Sequence, residues 1–158
     1  MFKKYGFFFL VLVIQSGCSN KLKDEPLGLY VDYKGLKADR VLVYANQVPK
    51  KSREIKFGDE LNVEILGITD FKPREDGRVM PDAEYAVSDE FGNVLFLQNN
   101  FFKKFKETGV SQGDAAKLKL NLVVGSPMER GKSYYFLFRI WDQLSQKELK
   151  GNIQLDVR

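Results

Sequence analysis

One cysteine, no histidine and twenty-one carboxylates set the chemistry open to this chain of 158 residues. Without histidine the commonest general base and metal ligand is gone, and with it Ser-His-Asp and Cys-His mechanisms. A lone cysteine, Cys18, allows neither an intramolecular disulfide nor a cysteine-rich zinc site. The carboxylates are densest from Asp70 to Asp82, which also holds Glu75 and Asp76, with Asp89 and Glu90 shortly after. Calcium takes six to eight oxygens, so Asp70, Asp76, Asp82 and Asp89 are candidate ligands if they converge. The spacing is not that of an EF-hand, and Lys72, Arg74 and Arg78 sit among the acids. A solvated, salt-bridged loop is the plainer expectation. Pairs such as Asp89 with Glu90 leave a carboxylate-based hydrolase as a further alternative, but no motif selects an acid and a base.

Aromatic side chains offer a different chemistry. Trp141, followed by Asp142, together with Tyr134, Tyr135 and Tyr44 would suit a sugar ring if they formed one platform. Packing in a strand explains them equally well. The basic cluster Lys50-Lys51-Ser52-Arg53 and the lysines 103, 104 and 106 are candidates for contact with anionic headgroups.

The N-terminus explains the cysteine. Lys3 and Lys4 precede the apolar run Phe7–Ile14, which is too short to span a bilayer but suits the hydrophobic region of a signal peptide. The run stops at Gln15-Ser16-Gly17-Cys18. This resembles the lipobox of bacterial lipoproteins, with Ser16 and Gly17 matching the small residues and Gln15 standing where the pattern has an aliphatic one. The resemblance implies cleavage before Cys18, lipid on Cys18, and attachment to a membrane of the cell envelope. The resemblance to Gram-negative lipoproteins further implies, from Ser19 in place of Asp after the cysteine, the outer membrane. The expected organisation is a signal peptide over 1–17, a lipidated N-terminus and tether over 18–26, of which residues 19–26 reach at most about 28 Å, and one domain over 27–158. Removing Lys3 and Lys4 leaves twenty-three cationic side chains against twenty-one anionic, too even a balance for nucleic acid.

The elements that must position these residues are strands. Leu118, Leu120, Leu122 and Val124 alternate with polar residues; so do Leu61, Val63 and Ile65, and Ile153, Leu155 and Val157. Residues 134–141 are apolar on both faces and belong mid-sheet. Further strands are expected at 29–33, 40–45, 84–88 and 93–97. Only 99–108 has a helical pattern, with Asn100 as cap and Phe101, Phe102 and Phe105 on one face. The prediction is an all-β, immunoglobulin-like antiparallel β-sandwich of seven or eight strands with one short helix. It resembles the immunoglobulin-like and fibronectin-like sandwiches of envelope proteins in architecture. The functional expectation is a lipid-anchored, non-enzymatic binding or assembly module without a cofactor. Its partners are the membrane, through Cys18, and a protein or glycan. The alternatives are a calcium or carbohydrate receptor and a hydrolase.

Overall fold

A computed structural model describes residues 20–158. The expected signal peptide over 1–17, Cys18 and Ser19 lie outside the described residues.

Among the described residues eleven strands form two sheets: β1 (Asn20–Asp24), β2 (Leu29–Lys34), β3 (Arg40–Ala45), β4 (Val48–Pro49), β5 (Glu54–Ile55), β6 (Glu60–Leu66), β7 (Pro81–Asp89), β8 (Val94–Gln98), β9 (Lys117–Val123), β10 (Ser133–Asp142) and β11 (Glu148–Val157). The larger sheet runs β1-β2-β11-β10-β7-β8, and the smaller β4-β3-β6-β9. Setting aside β1, β2, β4 and β5, the remaining seven strands divide into β3-β6-β9 and β8-β7-β10-β11. This is an immunoglobulin-like sandwich whose fourth strand joins the third instead of the fifth. Between the named strands all pairings are antiparallel except β5 with β11. β2 covers residues 148–153 of β11 and β5 covers its last two residues.

The alternations in the sequence are the core. Leu61, Val63 and Ile65 of β6, Leu118 and Leu120 of β9, and Ile153, Leu155 and Val157 of β11 are all buried between the sheets. β10 lies mid-sheet between β11 and β7, with Tyr134, Phe136, Phe138 and Ile140 inward. Gly151 sits opposite Phe138, and a Cβ on Gly151 would overlap that ring. The two sheets are joined by a hydrogen bond from the Tyr85 hydroxyl to the Asn121 carbonyl, 2.6 Å, beside the stacked pair Tyr85 and Phe136.

Two expectations are corrected. Residues 20–24, assigned to a tether, form β1 and pair along their whole length with β2. Leu22 packs against the core while Lys21 and Lys23 stay wet, which is strand alternation in a polar segment. From Cys18 to β1 the chain therefore reaches only about 7 Å. Residues 99–108 do not form the expected helix. Asn100 takes a left-handed φ of 60°, and only the 3-10 turn Lys103–Phe105 forms. Phe101 and Phe102 pack against the core, but Phe105 is exposed. So short a helix cannot offset its nucleation without a buried face. Among the described residues the single α-helical turn is α1 (Gln112–Ala115), where Ser111 Oγ accepts the Asp114 amide at 3.0 Å.

Candidate functional site

The outer face of the larger sheet carries a groove of about 620 Å³. Register builds it in two rows. One row runs Tyr30, Asn152, Leu137, Ala86, Leu97 across β2, β11, β10, β7 and β8. The next runs Asp32, Lys150, Arg139, Glu84. Leu137 and Leu97 are 37% and 54% exposed, unusual for leucines on the wet side of a sheet. The first row is thus a floor with Leu137, Ala86 and Leu97 at one side and Tyr30 and Asn152 at the other, and the second a charged wall.

The wall is neutralised from within. Arg139 Nε donates to Glu148 Oε2 at 2.8 Å, its guanidinium lies 3.8 Å from Glu84 Oε1, and it covers the Trp141 ring at 4.8 Å. Lys150 Nζ is 3.0 Å from Glu148 Oε1. Burial alone would push the Glu148 carboxyl up, but hydrogen bonds and charge from Lys150 and Arg139 outweigh it and hold the group below the ordinary range. Glu84 and Glu148 share one guanidinium. Asp32 Oδ1, at the β2 side of the groove, is the one buried side-chain oxygen or nitrogen without a hydrogen-bond partner among the described residues.

The residues singled out in the sequence lie elsewhere. Asp70 pairs with Lys37 at 3.4 Å, and Asp76 with Arg74 at 3.6 Å. Asp82 accepts the Ala83 amide at 2.8 Å. Asp89 closes the β7–β8 turn by accepting the amides of Phe91 and Asn93 and the Asn93 side chain. The hydrogen bond from the Asn93 side chain, aided by those amides, keeps its carboxyl below the usual value. Asp82 and Asp89 stand at opposite ends of β7, and no group of three acidic or cysteine side chains gathers as a metal site among the described residues. The convergence required for calcium is not present there.

The aromatic platform does not form either. Tyr134 is buried, with its hydroxyl accepting the Glu129 amide at 2.8 Å. Tyr44 belongs to the smaller sheet, and Trp141 lies under Arg139. Asp142 is structural: only 1% exposed, it accepts the amides of Lys72 (2.9 Å) and Leu144 (3.0 Å) and the Ser145 hydroxyl (2.6 Å). The basic segments also separate. Arg53 is fastened to Gln154 and Asp156, and Lys50 donates to the Glu54 carbonyl. They lie at one end of the sandwich, whereas the stretch bearing Lys103, Lys104 and Lys106 runs toward the other, where Glu107 and Gly109 accept from Arg74 and Arg78. The groove residues Tyr30, Asp32, Leu97, Leu137, Arg139, Lys150 and Asn152 were not singled out as a site. Their signal was the two-faced apolar character of residues 134–141.

No protein-family model matches this sequence, and no curated protein is significantly similar to it.

Proposed function

We propose that the protein is a lipoprotein of the cell envelope, held in the outer membrane by lipid on Cys18, that acts without catalysis as a binding or assembly module. The groove on the larger sheet is the observation that carries the binding half of this reading: a preformed concavity with a largely aliphatic floor, and a wall in which Glu84 and Glu148 engage Arg139 and Lys150, is suited to receive a ligand. The leucines and alanine of the floor, Leu137, Ala86 and Leu97, outnumber its Tyr30 ring and favour an apolar protein segment over a sugar.

The ends of the sandwich support the anchored half. β1 starts at the end bearing segments 34–40, 67–78, 99–117 and 143–147, which together carry eleven Lys and Arg against six Asp and Glu. The opposite end, segments 24–28, 46–60, 89–93, 124–132 and 156–158, carries seven against nine. A lipid on Cys18 therefore sets the basic end against headgroups, where each cation adds up to about 1 kcal/mol on an anionic surface.

Metabolic labelling with an alkyne fatty acid tests the anchor: the wild type takes up label and Cys18→Ala does not. A photoreactive residue at Leu137, introduced in intact cells, tests the groove. It should yield a discrete protein adduct that the same group at exposed Lys51 does not. Label on both proteins, or identical adducts from both positions, would sink the respective half.

A further inference from the structure

A second cavity, of about 330 Å³, opens on the outer face of the larger sheet toward the end where β1 starts. The register that builds the groove builds this cavity one row further along. Lys34 of β2 stands opposite Glu148 of β11, Glu148 stands opposite Trp141 of β10, and the turn from β10 to β11 adds Gln146 and Lys147. Arg139 lines both cavities, with its guanidinium 4.8 Å from the centre of the Trp141 ring. The nearby acids are engaged: Glu148 is held by Arg139 at 2.8 Å and Lys150 at 3.0 Å, and Asp82, across from Trp141 on β7, accepts the Ala83 amide. Lys34 and Lys147 are not neutralised in this way. Lys147 Nζ donates to the Asp70 carbonyl at 2.6 Å, Lys34 is exposed, and no carboxylate pairs with either among the described residues.

We infer that this cavity holds the phosphate ester of an anionic phospholipid headgroup, in the leaflet to which the chain is tethered. The inference rests on the reading of Cys18 as lipidated, and position selects the occupant. Asn20, the first residue of β1, pairs with Tyr33, the neighbour of Lys34. Cys18 stands two residues before Asn20, within about 7 Å along the chain. Acyl groups on Cys18 thus bring the cavity to the level of the headgroups. Lysine ammonium groups bind phosphate as point charges. An indole, with an apolar body and one polar edge, suits the depth at which headgroup and hydrocarbon meet. Lys34 and Lys147 supply the charge, the Gln146 amide a neutral donor, and Trp141 a surface for the glycerol carbons. A zwitterionic headgroup would bring a cation of its own against these two lysines and is the poorer ligand.

Trp141 is the one tryptophan of the chain, so emission excited selectively from indole reports on the cavity. The membrane-extracted protein in neutral detergent is titrated with dihexanoyl phosphatidylglycerol, dihexanoyl phosphatidylcholine and inorganic phosphate. The first should shift the Trp141 emission saturably, and the other two should not at the same concentrations. Lys34→Gln, which removes one charge-assisted hydrogen bond, should raise the dissociation constant about tenfold, and Lys34→Arg should restore most of the affinity. Lys34 is exposed at the end of β2, so both variants keep the core intact. Charge reversal of Lys103 and Lys104, outside the cavity, should leave the response unchanged. Inorganic phosphate acting as well as phosphatidylglycerol, equal responses to the two lipids, a response that survives Lys34→Gln, or one abolished by reversing Lys103 and Lys104 would each overturn the inference. The lipid is supplied in solution, so the readout does not depend on acylation. A response without acyl mass on Cys18 would keep this ligand and remove the anchor, whereas acyl mass without a response would keep the anchor and overturn the ligand.

Discussion

Replacing Asp142 by alanine tests whether the Trp141-Asp142 pair belongs to the framework or to a ligand site. The carboxylate is 1% exposed and accepts three hydrogen bonds, two from backbone amides and one from a hydroxyl. It ties Lys72, in the long loop before β7, and the turn at Leu144 and Ser145 to the end of β10. Alanine leaves three donors without this acceptor. A buried unsatisfied donor costs about 1–3 kcal/mol. Water reaches part of the rim, since Lys72 and Leu144 are exposed residues, so the loss should total about 3–5 kcal/mol. For a domain of this size that lowers the melting temperature by about 10–20 °C. Asp142→Asn keeps one acceptor oxygen but turns an amino group toward one donor, and should lose about half as much. Urea unfolding followed by circular dichroism measures both. An alanine variant within about 0.5 kcal/mol of wild type would refute the structural role assigned to Asp142.

Further perturbations reach the rest of the molecule. Tyr85→Phe removes the hydrogen bond to the Asn121 carbonyl between the sheets and should cost about 1 kcal/mol in the same unfolding assay. Burial raises the Tyr85 and Tyr33 hydroxyls above their ordinary value of 10.0. The folded state thus holds these protons more tightly, and the resulting stability is complete below pH 10 and is lost as pH rises from there toward the folded-state values. An alkaline melting series should show that loss, and Tyr85→Phe should lessen it; an unchanged slope would contradict the burial assigned to that hydroxyl. Gly151→Ala forces the Phe138 ring to move and should destabilise by about 1–3 kcal/mol, whereas a neutral effect would mean the ring has room. Charge reversal of Lys103, Lys104 and Lys106 should weaken flotation with phosphatidylglycerol vesicles but not with neutral ones, while reversal of Lys50 and Lys51 at the far end should change neither.

The fold was legible wherever burial imposed a period of two over several residues. β6, β9 and β11 announced themselves this way, and the apolar faces of β10 placed it mid-sheet. The strands β4 and β5 are two residues each, too short to carry any period. β1 was hidden because one leucine among polar residues suffices for an edge strand with only one packed face. The spacing of Phe101, Phe102 and Phe105 imitated a helix, yet their burial is met by a loop that folds two of the rings onto the core. The cap Ser111-Gln112-Gly113-Asp114 was a readable signal for the turn that does form. The groove was less accessible. It joins β2, β11, β10, β7 and β8, and their juxtaposition follows from register between distant segments, not from any local motif. The acidic loop misled for the converse reason: Asp70, Asp76, Asp82 and Asp89 are near in sequence, but each is engaged by a different neighbour.

The central claim, a binding module anchored through Cys18, is tested most directly by the intact mass of the membrane-extracted protein beside Cys18→Ala. The account predicts a wild-type mass lacking residues 1–17 and carrying added acyl groups, both absent from the variant. A wild-type mass with no acyl addition would contradict it.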